Sequence, residues 1–171
     1  EALANALAKE WPSYVAFLSS FATIGIMWMN HHRLFTHIRR TDHWLLVFNA
    51  LLLLGITAVP FPTGILAAYW GHPGERVAAI VYSGLFVVVA ILFNLLWRYA
   101  SGGHRLLRKG VSATAVQAIT RQYAFGPLLY LLCLGLAFVN VAASIAGTIA
   151  LAIFFALPPR TAASNGSITC R

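Results

Sequence analysis

From Pro127 to Leu157 the chain runs for 31 residues without a single charge. One helix of that length would reach roughly 46 Å at 1.5 Å per residue, whereas the apolar core of a bilayer is only about 30 Å thick. The run therefore predicts a hairpin of two membrane spans turning around Asn140–Ser144, with the first of the two starting near Arg121. Three more apolar runs precede it. Trp11–Met29 is opened by Pro12, a residue suited to a first helical turn. A second run leads from Trp44 towards Trp70 and carries Pro60 and Pro62 near its far end, where they should kink or end the helix. The third is Val77–Trp97. Trp70, Trp97 and Tyr99 fall at span ends, where aromatic belts form.

These runs predict an all-α, polytopic transmembrane helical bundle with spans at about 11–29, 44–68, 77–97, 121–139 and 142–157. Composition agrees: 9% of residues are charged and 60% hydrophobic, against about 25% charged in a soluble domain, so a water-soluble surface has no supply. Residues 1–157 read as one membrane domain in the lipid bilayer, and 158–171 as a polar tail expected to be disordered.

The net charge of +8 does not point to nucleic acid, because the basic residues sit in the short connections and form no separate basic face. Alternate connections place Arg33, Arg39, Arg40, Arg98, Arg105, Arg108, Lys109, Arg121, Arg160 and Arg171 on one side, against Lys9 and Arg76 on the other. Cytoplasmic loops collect Lys and Arg, so the loops 30–43 and 98–122 and the C-terminus are expected in the cytoplasm. The start of the chain is then outside, and a sixth span before Glu1 is expected to deliver it there. Ala2–Glu10 would be a short external connection. Thr114 and Gln117 have capping-box spacing, so the helix of the fourth span is either begun early there or preceded by an ordinary linker.

None of the acidic residues Glu1, Glu10, Asp42 and Glu75 lies within a span. Transporters and pumps that move protons place such residues at mid-membrane, which weakens a secondary-transporter reading unless the upstream span carries one. His31, His32, His37 and His43 are the densest polar cluster, but only Asp42 is near, so a metal-dependent membrane enzyme is the weaker rival and no metal site is expected. The bland reading makes His32, Arg33, His37 and Arg39 a solvated turn. Asn30 and His31 instead suit burial at the end of the bundle, bonded to another helix. Ser13, Ser20, Thr23, Met27 and Asn30 recur at spacings of 7, 3, 4 and 3, one seam expected to face the missing helix. Ala143, Ala146, Gly147 and Ala150 form a small-residue pattern that means helix packing. Cys133 reads as a small buried hydrophobe, and Cys170 and the glycosylation-like Asn165-Gly166-Ser167 fall in the tail.

The stretch Trp11-Pro12-Ser13 through Trp28-Met29-Asn30-His31-His32-Arg33-Leu34-Phe35 resembles the second helix of bacterial members of the transmembrane protein 175 family of potassium channels. The likeness continues through Pro60-Phe61-Pro62-Thr63 and returns at Asn94-Leu95-Leu96-Trp97-Arg98-Tyr99-Ala100. The resemblance implies six helices per repeat, with one repeat and a homotetramer in bacteria and two repeats and a dimer in animals. It implies a central pore lined by the first helix, which carries the signature Arg-x-x-x-Phe-Ser-Asp and a constriction of bulky apolar side chains. That signature is absent from this sequence, so the filter residues are expected upstream of Glu1. Asn30 and His31, with Ser20 and Thr23 on the same helix, are the candidates to brace the pore helix from the side. Potassium is then the permeant ion, no cofactor is needed, and the location is the bacterial inner membrane.

Overall fold

The computed structural model describes residues 2–157, so the tail with Cys170, Arg160, Arg171 and Asn165-Gly166-Ser167 lies outside the described residues. Among the described residues seven α-helices follow one another: α1 (Ala2–Lys9), α2 (Trp11–Phe35), α3 (His43–Thr57), α4 (Pro60–Tyr69), α5 (Glu75–Ser101), α6 (Ala113–Leu136) and α7 (Val141–Ala156). Among the described residues there is no strand; a single antiparallel bridge joins Ile38 to Leu107.

Helix α5 is the centre. Its buried residues recur at helical period, from Ala78 and Ala79 through Tyr82, Ser83, Phe86, Val89, Ala90, Phe93, Leu96 and Trp97 to Ala100. They pack against α3, α4, α6 and α7. The bundle turns apolar side chains outward as well: Phe17, Phe21, Trp28, Leu54, Phe61, Leu132, Val139 and Phe154 are all exposed. A soluble monomer seldom shows apolar patches beyond a few hundred Å²; lipid is the solvent that fits this surface.

The run from Trp44 to Trp70 is two helices in line. The break comes at Ala58–Val59, directly before Pro60. Proline has no N–H to give to the carbonyl four residues back, and its ring crowds that carbonyl, so the helix is interrupted there and resumes as α4. Asp42 starts α3: its carboxylate accepts the Leu45 N–H at 2.9 Å, a standard N-cap bond. Gly74, at φ 104°, closes the turn into α5, and a Cβ there would come to 3.2 Å from the Tyr69 ring.

The hairpin after α6 turns earlier than the sequence suggests. Helix α6 ends at Leu136 and α7 begins at Val141. Asn140 is the N-cap of α7, accepting from the Ala143 N–H at 2.9 Å. Ser144 is therefore inside α7, where its hydroxyl donates to the Cys133 carbonyl at 2.7 Å and lies 3.0 Å from the Ser83 hydroxyl. Three helices are tied by that one side chain. Of the small-residue pattern on α7, Ala143, Ala146 and Ala150 stay exposed. Gly147 alone is at a close approach, since a Cβ there would stand 2.9 Å from the Cys133 sulfur. At the other end of α6 the cap is Ser112, not Thr114: the Ser112 hydroxyl accepts the Ala115 N–H at 3.2 Å. The helix accordingly begins at Ala113, well before Arg121.

Pro127 lies inside α6 and leaves the Tyr123 carbonyl without its intrahelical donor. The Asn94 amide of α5 fills that vacancy, donating to the Tyr123 carbonyl at 2.8 Å. One turn on, the Trp97 indole N–H donates to the Thr120 hydroxyl at 2.9 Å. Helix α6 can thus carry a proline because α5 supplies the missing donor.

Candidate functional site

The polar residues of α2 fall into two groups. Ser20 and Thr23 turn their hydroxyls back onto their own helix, donating to the Ala16 and Ser19 carbonyls at 2.8 Å each. A hydroxyl so engaged satisfies itself and lets a neighbouring backbone approach. Ser20 is buried beside α4, next to a recess of about 280 Å³ lined by Ser13, Ala16, Phe17, Pro60, Gly64 and Ala67 among others.

The second group is the last two turns. The His31 Nε2–H donates to the Asn49 side-chain oxygen Oδ1 at 2.7 Å, joining α2 to α3, and its ring stacks on Phe35 at 4.4 Å. Arg33 crosses to the end of α7, donating to the Ala156 and Leu157 carbonyls at 2.8 and 3.2 Å. A guanidinium there meets both the unpaired last carbonyls and the negative end of the helix dipole. Arg33 is thus a fastening, not part of a solvated turn. His32 is exposed and stacks on Trp28. His37 sits edge-on to Trp97. The histidines point to separate partners, and among the described residues no three His, Cys, Asp or Glu side chains converge as a metal site.

Asn30 is only 7% exposed, and its amide makes no hydrogen bond to the described residues. It borders a cavity of about 40 Å³ walled by Met27, Phe86, Phe93, Tyr123, Tyr130 and Phe155. The burial of Ser20, Met27 and Asn30 is supplied by other helices of this chain, so this side of the expected seam faces inward.

The connections that precede α3 and α6 meet at this same end. The Arg39 N–H donates to the Leu106 carbonyl at 2.9 Å and the Arg108 N–H to the His37 carbonyl at 2.9 Å. Asp42, besides capping α3, accepts from the Tyr99 hydroxyl at 2.7 Å and from Arg105 at 2.8 Å. The Leu45 N–H first, and then Tyr99, hold the Asp42 carboxyl below the usual carboxylate range. The loops 30–43 and 98–122 and the end of α7 are therefore gathered at one end of the bundle, the arrangement that the charge count required.

Sequence reasoning missed Asn49, Asn94 and Thr120. The signal was available for two of them: an amide within an otherwise apolar span must find a partner. Thr120 carried no such mark.

An apolar outer surface around bent and capped helices defines a polytopic helical membrane protein. A family model described as the endosomal/lysosomal potassium channel TMEM175 matches residues 1–60. A protein of Chamaesiphon minutus named as a potassium channel is 51% identical over 155 residues, covering 91% of this chain and 76% of the relative. One of Streptomyces collinus, also named as a potassium channel, is 39% identical over 166 residues, covering 94% and 81%. The crystal structure of a lysosomal potassium-selective channel TMEM175 homolog from Chamaesiphon minutus superposes with a TM-score of 0.76 at 48% identity, over 93% of this chain and 80% of that one. The chain belongs to the TMEM175 family.

Proposed function

We propose that this chain is a subunit of a potassium channel that conducts passively and is not an enzyme. The observation that carries the reading is the 51% identity, over 91% of the chain, to a protein named as a potassium channel. Physical chemistry is compatible with it. No Asp, Glu, Lys or Arg occurs between Trp11 and Asn30, Trp44 and Gly74, Val77 and Trp97, or Gln122 and Leu157, so these spans offer no charged relay for coupled transport. A channel needs none, and a hydrophobic constriction can gate by dewetting.

The subunit is read as one of four in a homotetramer of the bacterial inner membrane. Its pore is lined by the helix that, by the resemblance, precedes Glu1 and holds the filter residues. Loops 30–43 and 98–122 and the C-terminus are assigned to the cytoplasm on their excess of basic residues. Asn30 and His31 serve as braces for the pore helix, with Ser20 and Thr23 easing close approach along α2. Asn30 would act from the inner side of α2, where it borders a cavity walled by helices of this chain. His31 acts through α3, by way of Asn49.

Full-length protein in liposomes should pass potassium down its gradient, with sodium passing less readily. A potassium flux that requires a proton or sodium gradient would instead make the protein a secondary transporter.

A further inference from the structure

A second recess of about 100 Å³, which shares Tyr123 with the Asn30 cavity, opens between the end of α2 and the first half of α6. Arg33, His37, Gln122 and Tyr123 line it, over an apolar floor that includes Ala118 and Ile119. It lies at the basic end of the bundle, where a span meets the membrane boundary.

The charge balance there is one-sided. The segments 30–43 and 98–122 hold eight Arg and Lys residues and one carboxylate, Asp42, which is already engaged by Arg105. Arg33 consequently meets only neutral carbonyls among the described residues. An arginine has five N–H donors; the two bonds to Ala156 and Leu157 leave three. The Gln122 amide and the Tyr123 hydroxyl also make no hydrogen bond to the described residues. Burial, and then the positive charge of Arg108, hold the His37 imidazole below its ordinary pKa. A half-buried cation with spare donors, a polar rim and an apolar floor is complementary to a phosphate that carries an acyl tail. Basic recesses between membrane helices on the cytoplasmic side hold anionic lipid headgroups in this way, and arginine is the residue suited to fork onto phosphate oxygens.

We propose that the recess lined by Arg33, His37, Gln122 and Tyr123 binds the phosphate of an anionic phospholipid, one per subunit, with the first methylenes against Ala118 and Ile119. This is more than the general attraction of a basic surface, because a surface charge outside the recess should matter far less.

The test is native mass spectrometry of the full-length protein titrated with phosphatidylglycerol and with phosphatidylcholine of the same chains, each with and without excess inorganic phosphate. Phosphatidylglycerol should be held about tenfold more tightly, the loss or gain of one good charged hydrogen bond. Arg33→Gln and the space-filling Ala118→Leu should each remove that preference, whereas Arg98→Gln, an exposed residue of the same end, should change it less than about twofold. Ala118→Leu leaves the bonds of Arg33 to α7 intact, so it decides the matter if Arg33→Gln fails to assemble. Equal retention of the two lipids would overturn the proposal. So would an effect of Arg98→Gln as large as that of the recess variants, an unchanged preference in Ala118→Leu, or displacement of the lipid by inorganic phosphate, which would mark a free-phosphate site instead.

Discussion

Replacing Asn94 by leucine should destabilise the bundle, and the size of the loss should depend on a residue on another helix. The Asn94 amide donates at 2.8 Å to the Tyr123 carbonyl, the acceptor that Pro127 cannot serve. Leucine has similar volume but no donor, so Asn94→Leu leaves a carbonyl orphaned between α5 and α6. An orphaned buried acceptor costs about 1–3 kcal/mol, although interhelical hydrogen bonds in membrane proteins measure nearer 0.6, with a maximum of about 1.7 kcal/mol. The expected loss is therefore about 1–2 kcal/mol. Pro127→Ala restores an N–H at position 127, which can reach the Tyr123 carbonyl within α6. In that background Asn94→Leu should cost less than about 0.5 kcal/mol, because the acceptor keeps a partner. The assay is a double-mutant cycle on reversible unfolding of the full-length protein in mixed micelles, followed by tryptophan fluorescence or circular dichroism. An equal cost of Asn94→Leu in both backgrounds would refute the reasoning, and Asn94 would then act through packing alone.

His31→Ala and Asn49→Ala should each weaken the α2–α3 contact, with a coupling energy of about 0.6–1.7 kcal/mol; strictly additive losses in the same unfolding assay would mean that the 2.7 Å bond contributes nothing. Because the Asp42 pKa is lowered in the folded state, its contribution is fully present above the unfolded carboxylate value and is lost as pH falls through the lower folded value. Wild-type protein should thus lose stability on acidification below the ordinary carboxylate range more steeply than Asp42→Asn, which keeps a capping side chain but no charge; parallel curves of unfolding temperature against pH would contradict this.

The approximate helix positions were legible because they depend on long-range averages: a run of apolar residues, a charge on each side, a proline near an end. Pro60 announced a kink or an end, and the helix breaks directly before it. The misplaced features are local choices between near-equivalent residues. Ser112 and Thr114 are both good caps, and which one acts depends on the backbone at 112, which is extended. Asn140 and Ser144 were both plausible turn residues; Ser144 was claimed by Ser83 and Cys133, partners that are far away in sequence. Pairings such as His31 with Asn49 and Arg33 with the end of α7 have no sequence period at all. They exist only once the helices are side by side.

That is why the last turns of α2 are more informative than the seam along its length. The hydroxyls of Ser20 and Thr23 are spent within α2 and give it smoothness. His31 and Arg33 each reach a different helix, α3 and α7, and Asn30 faces a cavity walled by α5, α6 and α7. His31 and Arg33 thus fix the position of α2 against α3 and α7 within about one turn. A helix held so firmly at one end, and packed along its length through small residues, is suited to support a neighbour that must stay still while ions pass. If α2 supports the pore helix, substitutions at Asn30 should disturb conduction at constant assembly, since its amide is not engaged with the described residues. Those at His31 should disturb both together, because the bond to Asn49 is part of the fold.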